Sequence, residues 1–190
     1  MKIVGICGSM RVTGSNSEWM VRTVLDTAKE LGAETELILL REYNIKHCEG
    51  CDVCRKIQKG CKLKDDMQKI YPKLKEADAF VIGTPNYFKN VSGLMKDFID
   101  RTNASLYPKL KINCKERRPL EDKRVVGISV GGEELEDIAY CEGALTRFFR
   151  SHRLKTVSLI KCMADEPKAA EKDPWVIKEL KLAAKKLVSE

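Results

Sequence analysis

The sequence predicts an α/β protein with a parallel sheet of five strands and helices on both faces. Five short apolar runs alternate with longer amphipathic stretches along the 190 residues. Each run is too short for a helix and nearly continuous in apolar residues, as expected for strands buried on both faces. Repeated strand–helix alternation indicates a parallel sheet with right-handed crossovers. Five strands suit the doubly wound strand order 2-1-3-4-5.

The helices are predicted from apolar residues that recur at the period of a helix. Gly32 stands where the first helix should end, because glycine tolerates the left-handed backbone of a helix C-terminus. Asp173 and Pro174 predict the cap and first residue of the last helix. Cys141 and His152 lie on an apolar helical stripe, and we expect both to be packing residues. The predicted strands are 3–7, 35–40, 79–83, 125–130 and 156–160, with a short helix near 66–75. The predicted stripes are Val21, Val24, Leu25 and Ala28; Val91, Leu94, Met95, Phe98 and Ile99; Ile138, Cys141, Leu145, Phe148, Phe149 and His152; and Val176, Ile177, Leu180, Ala184 and Leu187.

Length and charge predict one domain over residues 1–190, with a cysteine-rich insertion at about 41–64. Lys and Arg number 35 against 28 Asp and Glu, a net charge of +7, and the two signs are mostly interleaved. A basic cluster at 109–118 lacks interleaved aromatics and nucleic-acid-binding motifs, so we expect a solvated loop and no nucleic-acid partner. No apolar run approaches the ~20 residues that span a membrane. Since Met1 leads directly into an apolar strand, we expect a cytoplasmic protein without a secretory leader.

Four closely spaced cysteines are the most informative feature of the sequence: Cys48, Cys51, Cys54 and Cys61. Two residues separate the first cysteine from the second and the second from the third, and six separate the third from the fourth. Short gaps let neighbouring thiolates turn toward one small centre, and soft sulfur ligands select iron–sulfur clusters, zinc or copper(I). Compact Cys-x2-Cys-x2-Cys runs are known to hold 4Fe-4S clusters. We expect the scattered cysteines to be small buried apolar residues: Cys7, Cys114, Cys141 and Cys162.

Several interpretations of the four cysteines remain open on spacing alone. A disulfide framework fits poorly without an oxidising compartment. Structural zinc sites more often use two separated pairs, whereas one central cysteine is shared here by two short gaps. Spacing therefore favours an iron–sulfur cluster over zinc or redox-active thiols. His47 directly precedes the first cysteine. One interpretation is that it donates a hydrogen bond to a metal ligand from outside the site. We expect instead that it is an exposed loop residue.

The loop after the first strand combines groups that bind an anion. Ser9, Ser15, Asn16 and Ser17 stand between a strand and a helix N-terminus, where backbone N–H groups point at a ligand. Arg11 adds a charged fork suited to phosphate oxygens. Neither the Walker pattern Gly-Lys-Ser/Thr nor the Rossmann pattern Gly-x-Gly-x-x-Gly is present. A phosphate site and an ordinary serine-rich helix cap are both open interpretations.

The loops after the third and fourth strands extend this candidate site. In parallel α/β sheets, ligands bind beyond the carboxyl ends of the strands, and these loops share that edge. Aromatic rings beside exposed backbone amides suit a flat heterocycle with polar edges, although a core position is the alternative for Tyr87 and Phe88. The residues concerned are Pro85, Asn86, Tyr87 and Phe88 after the third strand, and Ser129, Gly131 and Gly132 after the fourth.

Together these motifs resemble the NADPH-dependent FMN reductase superfamily, and within it the iron–sulfur flavoproteins of anaerobic archaea and bacteria. The motifs occur in order over residues 2 to about 133: Gly-Ser-x-Arg, the cysteine run followed by Asp65-Asp66-Met67, Thr-Pro-x-Tyr-Phe, and Leu-x-Lys-x-Phe-x-Asp-Arg. The resemblance implies a flavodoxin-like fold that binds FMN. It implies a phosphate site at Ser9, Arg11, Ser15, Asn16 and Ser17, a ring site at Pro85, Asn86, Tyr87 and Phe88, a third flavin loop at Ser129, Gly131 and Gly132, and cluster ligands at Cys48, Cys51, Cys54 and Cys61.

These expectations lead to one function and two alternatives. The first is an FMN-dependent oxidoreductase with a 4Fe-4S cluster that exchanges electrons with ferredoxin or NAD(P)H. The alternatives are an NAD(P)H-dependent FMN or quinone reductase without a cluster, and a zinc-stabilised binding module. The cofactors perform the redox step, so we nominate no catalytic residue. We expect Asp100 and Arg101 to anchor their helix or an interface, and the family resemblance implies a homodimer or homotetramer.

Overall fold

Five parallel strands form the central sheet within the residues that the computed structural model describes, which are 1–57, 60–105, 118–132 and 134–189. The strands are β1 (Lys2–Cys7), β2 (Glu34–Leu39), β3 (Ala79–Tyr87), β4 (Asn90–Val91), β5 (Arg124–Gly131) and β6 (Lys155–Met163). The parallel strands lie in the order β2-β1-β3-β5-β6, which confirms the predicted order, and β4 pairs antiparallel with β3. Cys114 and the basic residues at 109–117 lie outside the described residues.

Helices cover both faces of the sheet, as predicted. They are α1 (Asn16–Glu30), α2 (Val53–Ile57), α3 (Met67–Glu76), α4 (Gly93–Ser105), α5 (Leu135–Ser151) and α6 (Pro174–Ser189). On one face α1 and α6 pack on the sheet and on each other, burying Val21 and Leu180. On the other face α3, α4 and α5 bury Ile70, Phe98 and Leu145. Of the described helices, none is long and apolar enough to cross a membrane.

The predicted helix ends are confirmed where the sequence carries a cap. Gly32 takes a φ of +91° two residues after the end of α1, a backbone conformation that glycine adopts without steric cost. Asp173 caps α6, its carboxylate accepting hydrogen bonds from the amides of Trp175 and Val176 at 2.8 and 3.3 Å. Both features are local, and the sequence alone therefore locates them correctly.

The end of the third strand differs from the prediction. We expected this strand to end at Gly83, but β3 continues to Tyr87 because it stays in register with β5 beyond that point. The chain then reverses through Phe88 and Lys89 and returns as β4, so that Val91 belongs to a strand and not to a helical stripe. The two turn residues have φ values of +53° and +60°, which Asn and Gly usually supply. The hairpin therefore lacks its usual sequence signal.

Cys141 and His152 are packing residues, as predicted. Both are buried, and the ring of His152 packs at 4.9 Å from the ring of Phe148. Its Nε2 lies 3.2 Å from the hydroxyl of Thr102. Burial, and to a lesser extent the charge of Arg118, lowers the pKa of His152 to about 4. The imidazole therefore stays neutral in the folded protein down to that pH.

This burial predicts a loss of stability in mild acid. Between pH 6.5 and pH 4 the unfolded chain binds a proton at His152 that the folded chain does not bind, so the free energy of unfolding falls as the pH falls. From pH 7 to pH 5 the contribution is about 2 kcal/mol. Urea unfolding of wild type and His152→Gln at both pH values, at equal cofactor content, measures it. The same pH dependence in both proteins would contradict the assignment.

Candidate functional site

Residues at or just beyond the ends of four strands, β1, β3, β5 and β6, meet at the carboxyl edge of the sheet and enclose a cleft of about 200 Å³. Val130, Ala164 and Asp165 contribute to its lining. The other lining residues are ten of those predicted from the sequence: Ser9, Arg11, Ser15, Asn16, Ser17, Pro85, Asn86, Tyr87, Gly131 and Gly132. The structure thus brings these predicted residues from three distant parts of the chain to one cleft, while their role in cofactor binding stays a prediction.

The loop between β1 and α1 exposes the N-terminus of a 15-residue helix to this cleft. Ser15 is the helix cap, and its hydroxyl accepts a hydrogen bond from the amide of Glu18 at 3.2 Å. The hydroxyl of Ser9 accepts a hydrogen bond from the backbone amide of Arg11 at 3.2 Å, which tightens the loop. The side chain of Arg11 is exposed. Helix N-terminal amides and a nearby guanidinium together form a site suited to a phosphate group.

The side chain of Asn16 holds the wall of the cleft in place. Its Nδ2 donates hydrogen bonds to the carbonyl oxygens of Glu166 and Ala164 at 2.8 and 3.4 Å. Its Oδ1 accepts the amide of Ala170 at 3.2 Å. Both the nitrogen and the oxygen of the side-chain amide are thus bonded to the segment that follows β6. The backbone amide of Asn16 is therefore the group that it offers to a bound anion.

Two features of the opposite wall fit a flat ligand with polar edges. The Oδ1 atom of Asn86 is buried and has no hydrogen-bond partner among the described residues, so a donor on a ligand would satisfy it. Gly131 and Gly132 keep the wall bare: an added Cβ would lie 3.1 Å from the Asn86 side chain at the first position and 2.9 Å from Asp165 at the second. The cleft therefore has an unsatisfied acceptor and a backbone wall that fit an isoalloxazine ring.

Two of the predicted flavin neighbours do not line the cleft. Phe88 lies at the turn of the β3–β4 hairpin and is fully exposed. Ser129 is buried in β5, beside the thiol of Cys141 on α5. Burial raises the pKa of that thiol to about 11, although the hydrogen bond with Ser129 acts in the opposite direction. The side chain of Ser129 thus contacts α5.

Two buried hydroxyl residues that the sequence analysis did not single out tie the loops together. The hydroxyl of Ser92 donates to the carbonyl oxygen of Gly8 at 2.6 Å and accepts the amide of Met95 at 3.2 Å. The amide of Ser92 donates to the hydroxyl of Thr84 at 3.1 Å. Ser92 directly precedes α4, and a serine at such a position is a cap signal that could have been recognised.

Ala164 and Asp165 are also absent from the sequence prediction. We expected the last strand to end at 160, but β6 continues to Met163 and carries the following residues to the cleft. The rule that loops after parallel strands share one edge could have identified them. Because the strand was predicted to end at 160, Ala164 and Asp165 were not recognised as residues that directly follow it.

All four predicted metal-ligand cysteines line one further cavity of about 220 Å³. Cys48 and Cys51 are exposed and Cys54 and Cys61 are half-buried. The cavity lies in the connection between β2 and α3, as expected for a cysteine-rich insertion. Glu49, Gly50, Asp52, Lys62, Leu63, Asp100 and Arg101 complete its lining. Four sulfur donors on one small cavity are the ligand chemistry that an iron–sulfur cluster or zinc requires.

Tight turns make this convergence possible. Gly50 and Asp52 both have positive φ, +63° and +53°, so the chain turns twice between the first and third cysteines. Cys54 then lies in the short helix α2, and Gly60, at +92°, turns the chain back before Cys61. Glycine adopts such backbone angles without steric cost. The short spacings thus bring the cysteines to one cavity through local turns of the chain, as the sequence suggested.

The cysteines do not form a closed cage in this structure. None of the described cysteines forms a disulfide. Within the described ranges, no group of three or more His, Cys, Asp or Glu residues is arranged to hold a metal ion. The four cysteines line one cavity, and the binding of a metal there stays a prediction.

His47 is an exposed loop residue, as expected, and it contacts α4. Its Nδ1 lies 2.7 Å from a carboxylate oxygen of Asp97. This hydrogen bond raises the pKa of His47 above its ordinary value. His47 therefore attaches the beginning of the cysteine segment to the helix beside it.

Comparison with known proteins identifies the family. The NADPH-dependent FMN reductase family matches residues 1–166, and the chain belongs to that family, as the motifs suggested. Proteins named iron–sulfur flavoproteins are its relatives within this family. One from Archaeoglobus fulgidus is 38% identical over 134 residues, which make up 70% of this chain and 63% of that protein. One from Methanocaldococcus jannaschii is 38% identical over 133 residues, covering 70% and 63% of the two chains.

The chain thus spans 63% of the length of these curated relatives. Among solved structures, an NAD(P)H:quinone oxidoreductase from Methanothermobacter marburgensis matches with a TM-score of 0.74. The match covers 100% of this chain and 98% of the other at 15% identity. At this identity the likeness concerns the fold alone, and it confirms the flavodoxin-like class.

The phosphate loop yields a prediction for Arg11. Removing the guanidinium in Arg11→Ala should weaken FMN binding by about 1.5–3 kcal/mol, the range for a charge-assisted hydrogen bond. Riboflavin, which lacks the phosphate, should bind both proteins equally. Fluorescence titration of the apoprotein with each ligand measures both affinities.

Arg22→Ala is the matched control, because Arg22 lies on α1 and does not line the cleft. An Arg11→Ala protein with unchanged FMN affinity would contradict the assignment of the phosphate site. Equal losses for FMN and riboflavin would also contradict it, because they would indicate a general change in the cleft.

Proposed function

We propose that this protein is an FMN-dependent oxidoreductase that also holds a 4Fe-4S cluster. It would transfer electrons between FMN, the cluster and an external donor or acceptor such as NAD(P)H or ferredoxin. Membership of the FMN reductase family and the relatives named iron–sulfur flavoproteins support this proposal. The observation that carries it is the convergence of Cys48, Cys51, Cys54 and Cys61 on one cavity of a chain that also has the phosphate-loop cleft.

The residues of the cleft would bind FMN through backbone and side-chain groups together. The α1 N-terminus, with Ser9, Ser15 and Ser17, and the guanidinium of Arg11 would hold the phosphate. The β3 residues Pro85 to Tyr87 and the glycines after β5 would flank the ring. One phosphate loop without a dinucleotide motif supports FMN over FAD.

The protein itself would position the two cofactors and set their reduction potentials. When bound, FMN accepts a hydride or single electrons and an iron–sulfur cluster accepts single electrons, so a protein with both converts between the two kinds of transfer. The chain would set the potentials of both groups through hydrogen bonds, charge and burial. We therefore propose no acid or base residue for the reaction.

A second candidate is an NAD(P)H-dependent FMN or quinone reductase without a cluster. The observation in its favour is that no group of metal-ligating side chains among the described residues forms a closed site. A zinc-stabilised binding module is a third candidate, because zinc uses the same sulfur donors. Visible spectra with iron, sulfide, zinc and flavin assays on anaerobically purified protein separate the three. Flavin alone gives two resolved bands, a cluster adds broad brown absorption, and a zinc module is colourless.

We propose a single domain that assembles as a homodimer or homotetramer in the cytoplasm. Large apolar side chains are exposed on the β3–β4 hairpin and on α5, among them Phe88 and Tyr140. The ion pair between Lys89 and Asp137, 2.6 Å long, joins these two elements. Exposed apolar groups of this kind commonly mark contacts between subunits.

Assembly is measured by light scattering on the cofactor-loaded protein at micromolar concentration. We expect the mass of two or four chains. Phe88→Ser should shift this mass toward that of one chain, because it removes an exposed apolar side chain. A wild-type mass equal to that of one chain would contradict the proposed assembly.

The cysteine cavity predicts a selective loss of metal. Cys54→Ala should remove most iron and sulfide, because one of the four predicted ligands is lost. FMN should stay bound, since its predicted site is built from the loops after β1, β3 and β5. Residues 41–64 should become sensitive to protease, because metal binding stabilises the segment that encloses it. Elemental analysis, the flavin spectrum and limited proteolysis measure the three effects.

Cys141→Ala is the matched control, because this cysteine is buried on α5 away from the cavity. It should keep its iron and lose only packing energy. Equal iron loss in the two variants, or wild-type protein without iron after anaerobic purification, would favour the reductase without a cluster.

A further inference from the structure

A buried ion pair lies beside the cysteine cavity. Arg101, on α4, lines the cavity, and its side chain is completely buried. The carboxylate of Asp65 is equally buried and pairs with both terminal nitrogens of the guanidinium, one of them at 3.0 Å. Burial alone would lower the pKa of Arg101, but the hydrogen bonds that it donates to the Asp65 carboxylate raise this pKa above its ordinary value. The guanidinium is therefore charged.

This pair joins the two ends of the cysteine segment. One terminal nitrogen of Arg101 also donates to the carbonyl oxygen of Lys46 at 2.7 Å, two residues before Cys48. Asp65, four residues after Cys61, accepts the amide of Lys46 at 2.9 Å. The chain entering the segment and the chain leaving it are thus attached to one side chain of α4. A fully buried bidentate pair of this kind has a defined geometry that a surface pair lacks.

One nitrogen of the Arg101 guanidinium makes no hydrogen bond among the described residues. Its Nε is buried and has no hydrogen-bond partner within the described ranges. An unsatisfied donor on a buried charged group is costly, and such groups usually have an acceptor. The cavity that Arg101 lines is also lined by the four cysteines. A thiolate or a cluster sulfide in this cavity would be a charged acceptor for the Nε proton.

We infer that Arg101 is a positioning residue of the metal centre: with Asp65 it clamps the cysteine segment, and its Nε donates a hydrogen bond to a sulfur of the bound cluster. This inference rests on the proposed 4Fe-4S cluster and assigns this chain's own residue to it. Hydrogen bonds to the sulfurs of a cluster stabilise its reduced form and raise its potential. Arg101 would therefore set the potential of the cluster as well as its position.

The first test is Arg101→Lys, which keeps the charge and removes the Nε donor. We expect the variant to keep FMN and most of its iron. Its cluster should be about tenfold harder to reduce, which is a potential lower by 59 mV for one electron. A redox titration of the anaerobic protein followed by EPR measures this potential. Arg153→Lys makes the same chemical change in an exposed pair with Glu121 at the opposite edge of the sheet, and its cluster potential should not change.

A second measurement uses the wild-type protein and does not depend on the variant folding. With 15N at the arginine Nε positions, pulsed EPR of the reduced cluster should detect one weakly coupled nitrogen. Wild type without this coupling overturns the proposed hydrogen bond. The clamp is tested by Asp65→Asn, which should lose more than half of its iron at unchanged FMN content. Full iron content in that variant overturns the clamp.

The outcomes distinguish this inference from the proposed function. A wild-type protein without iron and sulfide overturns the cluster and this inference with it. A wild-type cluster whose potential is the same in Arg101→Lys overturns the inference alone. A lower potential in Arg101→Lys, unchanged in Arg153→Lys, supports it, because a purely structural role would change iron content without moving the potential of the remaining cluster.

Discussion

The parallel pairing of β1 with β2 on one side and β3 on the other is the constraint on which both candidate sites depend. All carboxyl ends then lie at one edge, and the connection after β1 runs to β2 on one side, whereas the connection after β2 crosses back to β3 on the other side of β1. The loops after β1 and β3 thus flank the point where the strand order reverses, where ligands bind in open α/β sheets. The connection after β2 leaves from this same edge and carries the four cysteines.

Buried polar side chains convert this edge into a defined cleft. The hydroxyl of Ser92 bonds to the loop after β1, and its amide bonds to Thr84 in β3. Asn16 connects the start of α1 with the segment that follows β6. Buried polar groups must find partners, so each such bond specifies one arrangement of neighbouring loops. The cleft therefore depends on a few satisfied polar contacts as well as on the apolar cores on each face.

The cysteine segment is attached to the rest of the fold by charge as well as by the apolar side chains of Tyr43 and Ile45, which pack against the core. The segment's first residue, Arg41, pairs with Glu18 on α1 at 2.7 Å. Burial alone would raise the pKa of Glu18, but the bonds from Arg41 and Arg22 lower it overall. Beyond the last cysteine, Asp65 pairs with Arg101 in the interior. A buried pair gains little net stability over apolar packing, but losing one partner leaves an uncompensated charge. Such pairs fix the position of the segment at both ends.

The sequence by itself determined the features that arise from neighbouring residues. Short apolar runs and helical stripes are local patterns, so they predicted the strand order and the two-sided helix cover. The loop before α1 and the cysteine spacing are equally local, and ten predicted residues line the cleft while four line the cysteine cavity. Only the tertiary structure decided which buried polar groups meet. Asp65 and Arg101 are 36 residues apart, and Asn16 and Glu166 are 150 apart. Periodicity indicates which residues are buried, but the partner of a buried donor depends on how distant elements pack.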